Sequence, residues 1–131
     1  NGWPGKRQRI VVRMGRKAEV QCSLDNQNIT GRAVVFKNGI RGRICASLWD
    51  DVDASVFCRQ LSSIYSGGVS YQYMRQGKGP IWLSNVQCTG NETSIFQCSN
   101  KTGNCPSSTK ASGDAGVLCY KHKQGKLYKI I

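Results

Sequence analysis

Histidine and acid are scarce in this chain of 131 residues: one histidine, and seven aspartates and glutamates together. His122, the single histidine, stands in a lysine-rich tail and reads as a solvated side chain, not a general base. There is no Gly-x-Ser-x-Gly elbow and no His-Glu-x-x-His motif. So few acids leave little material for a paired-carboxylate hydrolase. No two cysteines lie closer than seven positions apart, so the Cys-x-x-Cys spacing of zinc ribbons and dithiol oxidoreductases is missing. These absences argue against an enzyme and call for no cofactor. No run of 18 apolar residues occurs, so no membrane-crossing helix is expected. No apolar leader follows Asn1, and the expectation is that any signal peptide has been removed.

What the chain does have is cysteine and positive charge. Its length suits one domain, small enough to benefit from covalent cross-links. Seven cysteines are present: Cys22, Cys45, Cys58, Cys88, Cys98, Cys105 and Cys119. Three sequons accompany them, at Asn28-Ile-Thr30, Asn91-Glu-Thr93 and Asn100-Lys-Thr102. Together they predict a disulfide-bonded glycoprotein, secreted or forming the extracellular part of a larger protein. Nineteen lysines and arginines give a net charge of +12. Residues 1–30, 31–119 and 120–131 each carry a net +4, so the short flanks are far more densely basic than the middle. A polyanionic partner is the natural inference.

Along the chain, residues 9–14 (RIVVRM) read as a strand and 15–21 as a polar, basic stretch. Residues 31–37 and 40–45 read as two strands joined by Asn38-Gly39, a strong hairpin signal that puts Arg41 and Arg43 on one side. From Asp50 to Leu61 the pattern is helical. Asp50 is placed to cap, Asp51 and Asp53 sit at the positive end of the dipole, and Ala54, Phe57, Cys58 and Leu61 form one inward face. Residues 62–80 and 99–114 read mostly as loop, while 81–88, 116–120 and 126–130 read as strands. The fold class expected is α+β.

From Gly31 to Cys119 the sequence resembles a scavenger receptor cysteine-rich domain. The resemblance rests on five stretches in order: GRAVVFKNG from Gly31, WDDVDASVFCRQL from Trp49, GKGPIWL from Gly77, VQCTGNETS from Val86, and DAGVLC from Asp114. It implies a compact fold in which a curved antiparallel sheet cradles one main helix. It divides the chain into a basic N-terminal segment, 1–30, contributing an edge strand, a core over 31–119, and a basic C-terminal strand or tail over 120–131. It also implies the six-cysteine type, since Ser62 and Ser63 stand where an additional cysteine would fall, with pairs Cys45–Cys105, Cys58–Cys119 and Cys88–Cys98. Cys22 is then left unpaired or joined to another chain or another part of a larger protein.

Departures from the family pattern bear on function. Many ligand-binding members have two aspartates after the equivalent of Cys45, which join a glutamate to hold calcium or magnesium. Here Ala46 and Ser47 stand there, and only Glu92 remains. A hard cation needs several charged oxygens, so no metal is expected. Asp50, Asp53 and Glu92 are weak candidates, with Asp50 and Asp53 better read as helix cap. Ser84 and Gly113 likewise replace acids, and Arg41 and Arg43 add positive charge.

The functional expectation is therefore direct binding of anionic polymers without a calcium bridge: sulfated glycans such as heparin, lipopolysaccharide or other anionic microbial surface polymers. Guanidinium and ammonium groups would make the contacts. The candidates are Arg9, Arg13, Arg16, Lys17, Arg41, Arg43, Lys121 and Lys123. A role in host defence is implied by the resemblance alone. Nucleic acid is not favoured, because no aromatic–basic alternation suggests a stacking platform. Tyr65, Tyr71 and Tyr73 read equally as a contact patch or as packing. The alternative is a protein–protein module of a receptor, matrix protein or multidomain secreted enzyme, with Cys22 as the point of a disulfide-linked partner.

Overall fold

The computed structural model describes residues 18–25, 28–101, 104–105 and 113–121. Its elements are β1 (Ala18–Asp25), β2 (Asn28–Lys37), β3 (Ile40–Ile44), α1 (Asp51–Leu61), β4 (Gly67–Met74), β5 (Ile81–Gln87), a 3-10 turn (Ile95–Gln97), β6 (Ser99–Lys101) and β7 (Asp114–Tyr120).

β2 organises the sheet. β1 pairs with it antiparallel from Asn28 to Val35, occupying one edge. The other edge is shared: β7 pairs antiparallel with Ile29–Arg32 and β3 with Val34–Lys37. β4 then adds to β7, and β5 to β3. The β3–β5 pairing is parallel, so the sheet is mixed where wholly antiparallel pairing was expected. Asn38 (φ 53°) and Gly39 (φ 80°) turn the β2–β3 hairpin, both with the positive φ that a two-residue type I′ turn demands.

The inner face of the sheet packs on α1. Ile29, Ala33 and Val35 of β2 join Ala54, Phe57, Cys58 and Leu61 of the helix in the core, each fully buried. Tyr65 belongs to the same core, so it is a packing residue. Cys58–Cys119 ties the helix to β7, Cys45–Cys105 closes a span of 60 residues, and Cys88–Cys98 closes one of 10. A bridge of this kind stabilises by roughly 2–4 kcal/mol, mainly by restricting the unfolded chain.

Three strands escape a reading by composition: β4, β1 and the short β6, which opens the 99–114 stretch expected to be loop. β4 lies inside the Gly- and Ser-rich stretch expected to be loop. Its glycines serve close approach: a Cβ on Gly68 would sit 2.4 Å from the Cys58 sulfur and one on Gly67 2.7 Å from the Tyr120 hydroxyl oxygen. β1 covers Ala18–Asp25, a stretch read in part as merely polar and basic; its alternation of Ala18, Val20, Cys22 and Leu24 was the available signal. The strands expected over residues 9–14 and 126–130 lie outside the described residues.

Asp50 and Asp53 cap α1 reciprocally. Asp53 N–H donates to Asp50 Oδ1 (3.0 Å), and Asp50 N–H donates to Asp53 Oδ2 (2.9 Å). Asp53 Oδ1 also accepts from Cys88 N–H at 2.8 Å, tying the helix start to the end of β5. Burial pushes the Asp53 carboxyl up to about 6 from 3.8, against the pull of these backbone donors. With the folded value above the unfolded one, this group's contribution to stability is complete below about pH 4 and lost as pH rises through 6. Taken alone the shift corresponds to about 3 kcal/mol at most. Thermal melts should therefore show Tm falling between pH 4.5 and 7, with Asp53→Asn flattening that profile. An unchanged slope in the variant would assign the pH dependence elsewhere.

Candidate functional site

The pleat of β2 separates two chemistries. Residues facing α1 are apolar, whereas Arg32 lies on the opposite, outer face. Hairpin register then places Arg43 opposite Val34 and Arg41 opposite Phe36. Arg32, Arg41 and Arg43 thus share the outer face.

Asp114, the first residue of β7 and only 1% exposed, sits between two of these arginines. Its Oδ2 lies 3.0 Å from Arg32 Nε and its Oδ1 accepts from Arg43 Nη1 at 2.9 Å. The loop between β4 and β5 closes over the same pair. Arg32 Nη2 donates to the Arg75 carbonyl (2.8 Å), Arg43 Nε to the Gly79 carbonyl (3.0 Å), and Gly77 N–H to Asp114 Oδ2 (2.7 Å). Gly79 has φ +99°, and a Cβ on Gly77 would meet the Asp114 carboxylate at 3.1 Å and the Arg32 guanidinium at 3.3 Å. The glycines let the loop backbone reach the guanidinium groups.

The outcome is a layered basic site. Arg32 and Arg43, with side chains 25% and 15% exposed, are partly committed to the scaffold. Arg75 and Lys78 are exposed on the loop, and Arg41 is half-buried beside them on β3. Among the described side chains of this face, five cations stand around one carboxylate, that of Asp114. Of the eight cations proposed from sequence, Arg41 and Arg43 are brought together here. Lys121 follows the far end of β7, seven positions from Asp114 and so about 23 Å along the strand, on a different part of the surface. Arg9, Arg13, Arg16, Lys17 and Lys123 lie outside the described residues. Sequence reasoning missed Arg32, Arg75 and Lys78. The hairpin register could have found Arg32, two positions before Val34, but nothing local reveals that the loop folds onto β3.

The family's cation site does not fit these residues. Ala46 offers no side-chain oxygen, and the Ser47 hydroxyl donates to Asn85 Oδ1. Glu92 is occupied in its own loop, accepting from Thr89 N–H (3.0 Å) and Gly90 N–H (2.9 Å), and these bonds hold its carboxyl down to about 2. Among the described residues the grouping of potential ligands is Cys88, Glu92 and Cys98, whose two sulfurs are spent in their disulfide.

A second concavity, of about 730 Å³, runs between α1, β4 and β7. Val52, Val69, Leu118 and Tyr120 supply its apolar wall, and Asp51 and Arg59 its polar rim.

The family model for the scavenger receptor cysteine-rich domain matches residues 23–120. The chain belongs to that family. The mouse (Mus musculus) macrophage receptor MARCO is 46% identical over 90 residues, 68% of this chain and 17% of that protein. Lysyl oxidase homolog 2 of Pongo abelii is 41% identical over 101 residues, 76% of this chain and 13% of that protein. The chain therefore spans less than a fifth of either relative. Among solved structures, the dimeric form of the mouse MARCO scavenger receptor domain superposes with a TM-score of 0.62 at 40% identity, covering 73% of this chain and 91% of that one. The third such domain of murine neurotrypsin gives 0.60 at 34% identity, covering 81% and 98%. Membership makes the chain a disulfide-bonded module of the kind found in receptors and multidomain proteins, consistent with extracellular ligand binding. No described helix is long and apolar enough to cross a membrane.

Proposed function

We propose that this scavenger receptor cysteine-rich module is a non-catalytic extracellular binder of polyanions, which it contacts directly with guanidinium and ammonium groups. The observation that carries this reading is the outer face of β2 and β3, where Arg41, Arg75 and Lys78 surround an Arg32–Asp114–Arg43 scaffold. Sulfate, phosphate and carboxylate groups all suit such donors. Sulfated glycans, lipopolysaccharide and other anionic surface polymers are the ligand class. The basic segments at Arg9, Arg13, Arg16 and Lys17 and at Lys121 and Lys123 extend the positive field around the domain. The absence of aspartates at Ala46 and Ser47 supports contact without a calcium bridge.

Binding to immobilised heparin, lipopolysaccharide and a neutral glycan tests this, at low and physiological salt, with calcium and with chelator. Retention on both anions, falling steeply with salt and indifferent to chelator, is the expected result. Loss in chelator would restore a cation-bridged mechanism. No retention near physiological salt would end the polyanion reading. A protein partner is the second reading, favoured by the groove where Val52 and Val69 are 41% and 40% exposed. Such a contact would resist moderate salt.

A further inference from the structure

Asn91 lies on the loop between β5 and the 3-10 turn, on the α1 side of the sheet. It is exposed, and its side-chain amide makes no hydrogen bond to the described residues. It also forms part of the wall of a polar hollow of about 540 Å³, with Arg59, Gln60, Gly90, Glu92 and Thr93. The hollow is firmly built. Arg59 Nη2 donates to the Gly90 carbonyl at 2.6 Å, and the Glu92 carboxylate clamps the Thr89–Gly90 backbone. Gln60, only 8% exposed, spends its Oε1 on Ile95 N–H (2.7 Å) while its Nε2 has no partner among the described residues. Donors and acceptors thus stand side by side at the foot of an asparagine that begins the sequon Asn91-Glu92-Thr93.

We propose that Asn91 carries an N-linked glycan and that this hollow seats its first N-acetylglucosamine. The attachment forms a bond from Asn91 Nδ2 to C1 of the sugar. It breaks the C1–O bond to the diphosphate of a lipid-linked oligosaccharide donor, which leaves as the lipid diphosphate, and Nδ2 gives up one proton. The sugar's hydroxyls and acetamide match the mixed wall of Arg59, Gln60 and Glu92. The other sequons are placed less favourably. Asn100 Nδ2 already donates to the Cys98 carbonyl at 2.7 Å, and Asn28 is a half-buried ladder residue of β2. Because the hollow lies on the α1 side, a glycan there leaves the outer arginine face open.

This inference rests on the extracellular reading and not on polyanion binding. The test is peptide mapping and melting of the domain secreted from a glycosylating eukaryotic cell, for wild type, Asn91→Gln and Arg59→Ala. Expected are a glycan on the Asn91 peptide, lost in Asn91→Gln, and a Tm roughly 3 °C lower for wild type produced in a host that does not glycosylate, which keeps Asn91 itself without the sugar. The difference should be smaller in Arg59→Ala. Heparin retention should be equal with and without the glycan, so failure of the polyanion reading would show separately. An unmodified Asn91 peptide overturns the site. An occupied Asn91 with the same Tm as the unglycosylated wild type overturns the seat. The unglycosylated wild type decides the matter even if either variant fails to be secreted.

Discussion

Replacing Asp114 with alanine is expected to destabilise the domain by roughly 3–5 kcal/mol, because it strands partly buried guanidinium groups without their counter-charge. For a domain of this size that corresponds to a drop in Tm of roughly 10–18 °C. The carboxylate accepts hydrogen bonds from Arg43 Nη1 and Gly77 N–H and forms an ion pair with Arg32 Nε, so it joins β3, the β4–β5 loop and β2. No single water can reproduce that arrangement in a site 1% exposed. Asp114→Asn keeps the shape but offers one acceptor and a competing NH₂, so most of the loss should persist. Differential scanning calorimetry of both variants at neutral pH would settle it. A fall in Tm of only a degree or two would mean that the arginines find water readily and that the loop is not anchored by this residue.

The double variant Arg75→Ala/Lys78→Ala should behave in the opposite way. Both side chains are exposed on the β4–β5 loop, and the hydrogen bonds that fix the loop use backbone atoms: the carbonyls of Arg75 and Gly79 and the N–H of Gly77. Stability should change by no more than about 0.5 kcal/mol. Polyanion binding should weaken clearly, and the slope of log K against log salt should fall by about 1.8, the value for two lost contacts on a polymer of duplex-like charge density. Salt titration of heparin binding reads this directly. An unchanged slope would move the contact away from this face and toward the basic flanks. Taken together, the two variants separate the arginines that build the surface from the cations that present it.

Much of the fold could be read locally, because its signals are local. Asn38-Gly39 dictates a tight hairpin whatever surrounds it, and Asp50 with Asp53 dictates a helix start. The inward stripe of Ala54, Phe57, Cys58 and Leu61 follows from 3.6-residue periodicity, and all four are fully buried. β4 is different. Gly67 and Gly68 look like loop residues until the Cys58 sulfur and the Tyr120 ring are placed against them, and those neighbours come from distant parts of the chain. Spacing left the cysteine pairing open, and the family resemblance implied it. The candidate site was half legible for the same reason. Arg41 and Arg43 follow from strand alternation within one hairpin. Arg32 follows from the same hairpin register, whereas Arg75, Lys78 and Asp114 meet them only after β7 has returned to β2 and the β4–β5 loop has folded down.

The loop that offers Arg75 and Lys78 to an anionic polymer also offers two cleavage points to a trypsin-like protease. A cut after either residue divides the chain between β4 and β5, yet Cys45–Cys105 and Cys58–Cys119 each join the two halves. The nicked molecule remains covalently whole while losing the continuous backbone that holds Gly77 and Gly79 against the arginine pair. A single cut there would disarm the basic face without releasing a fragment, and the two pieces would part only on reduction.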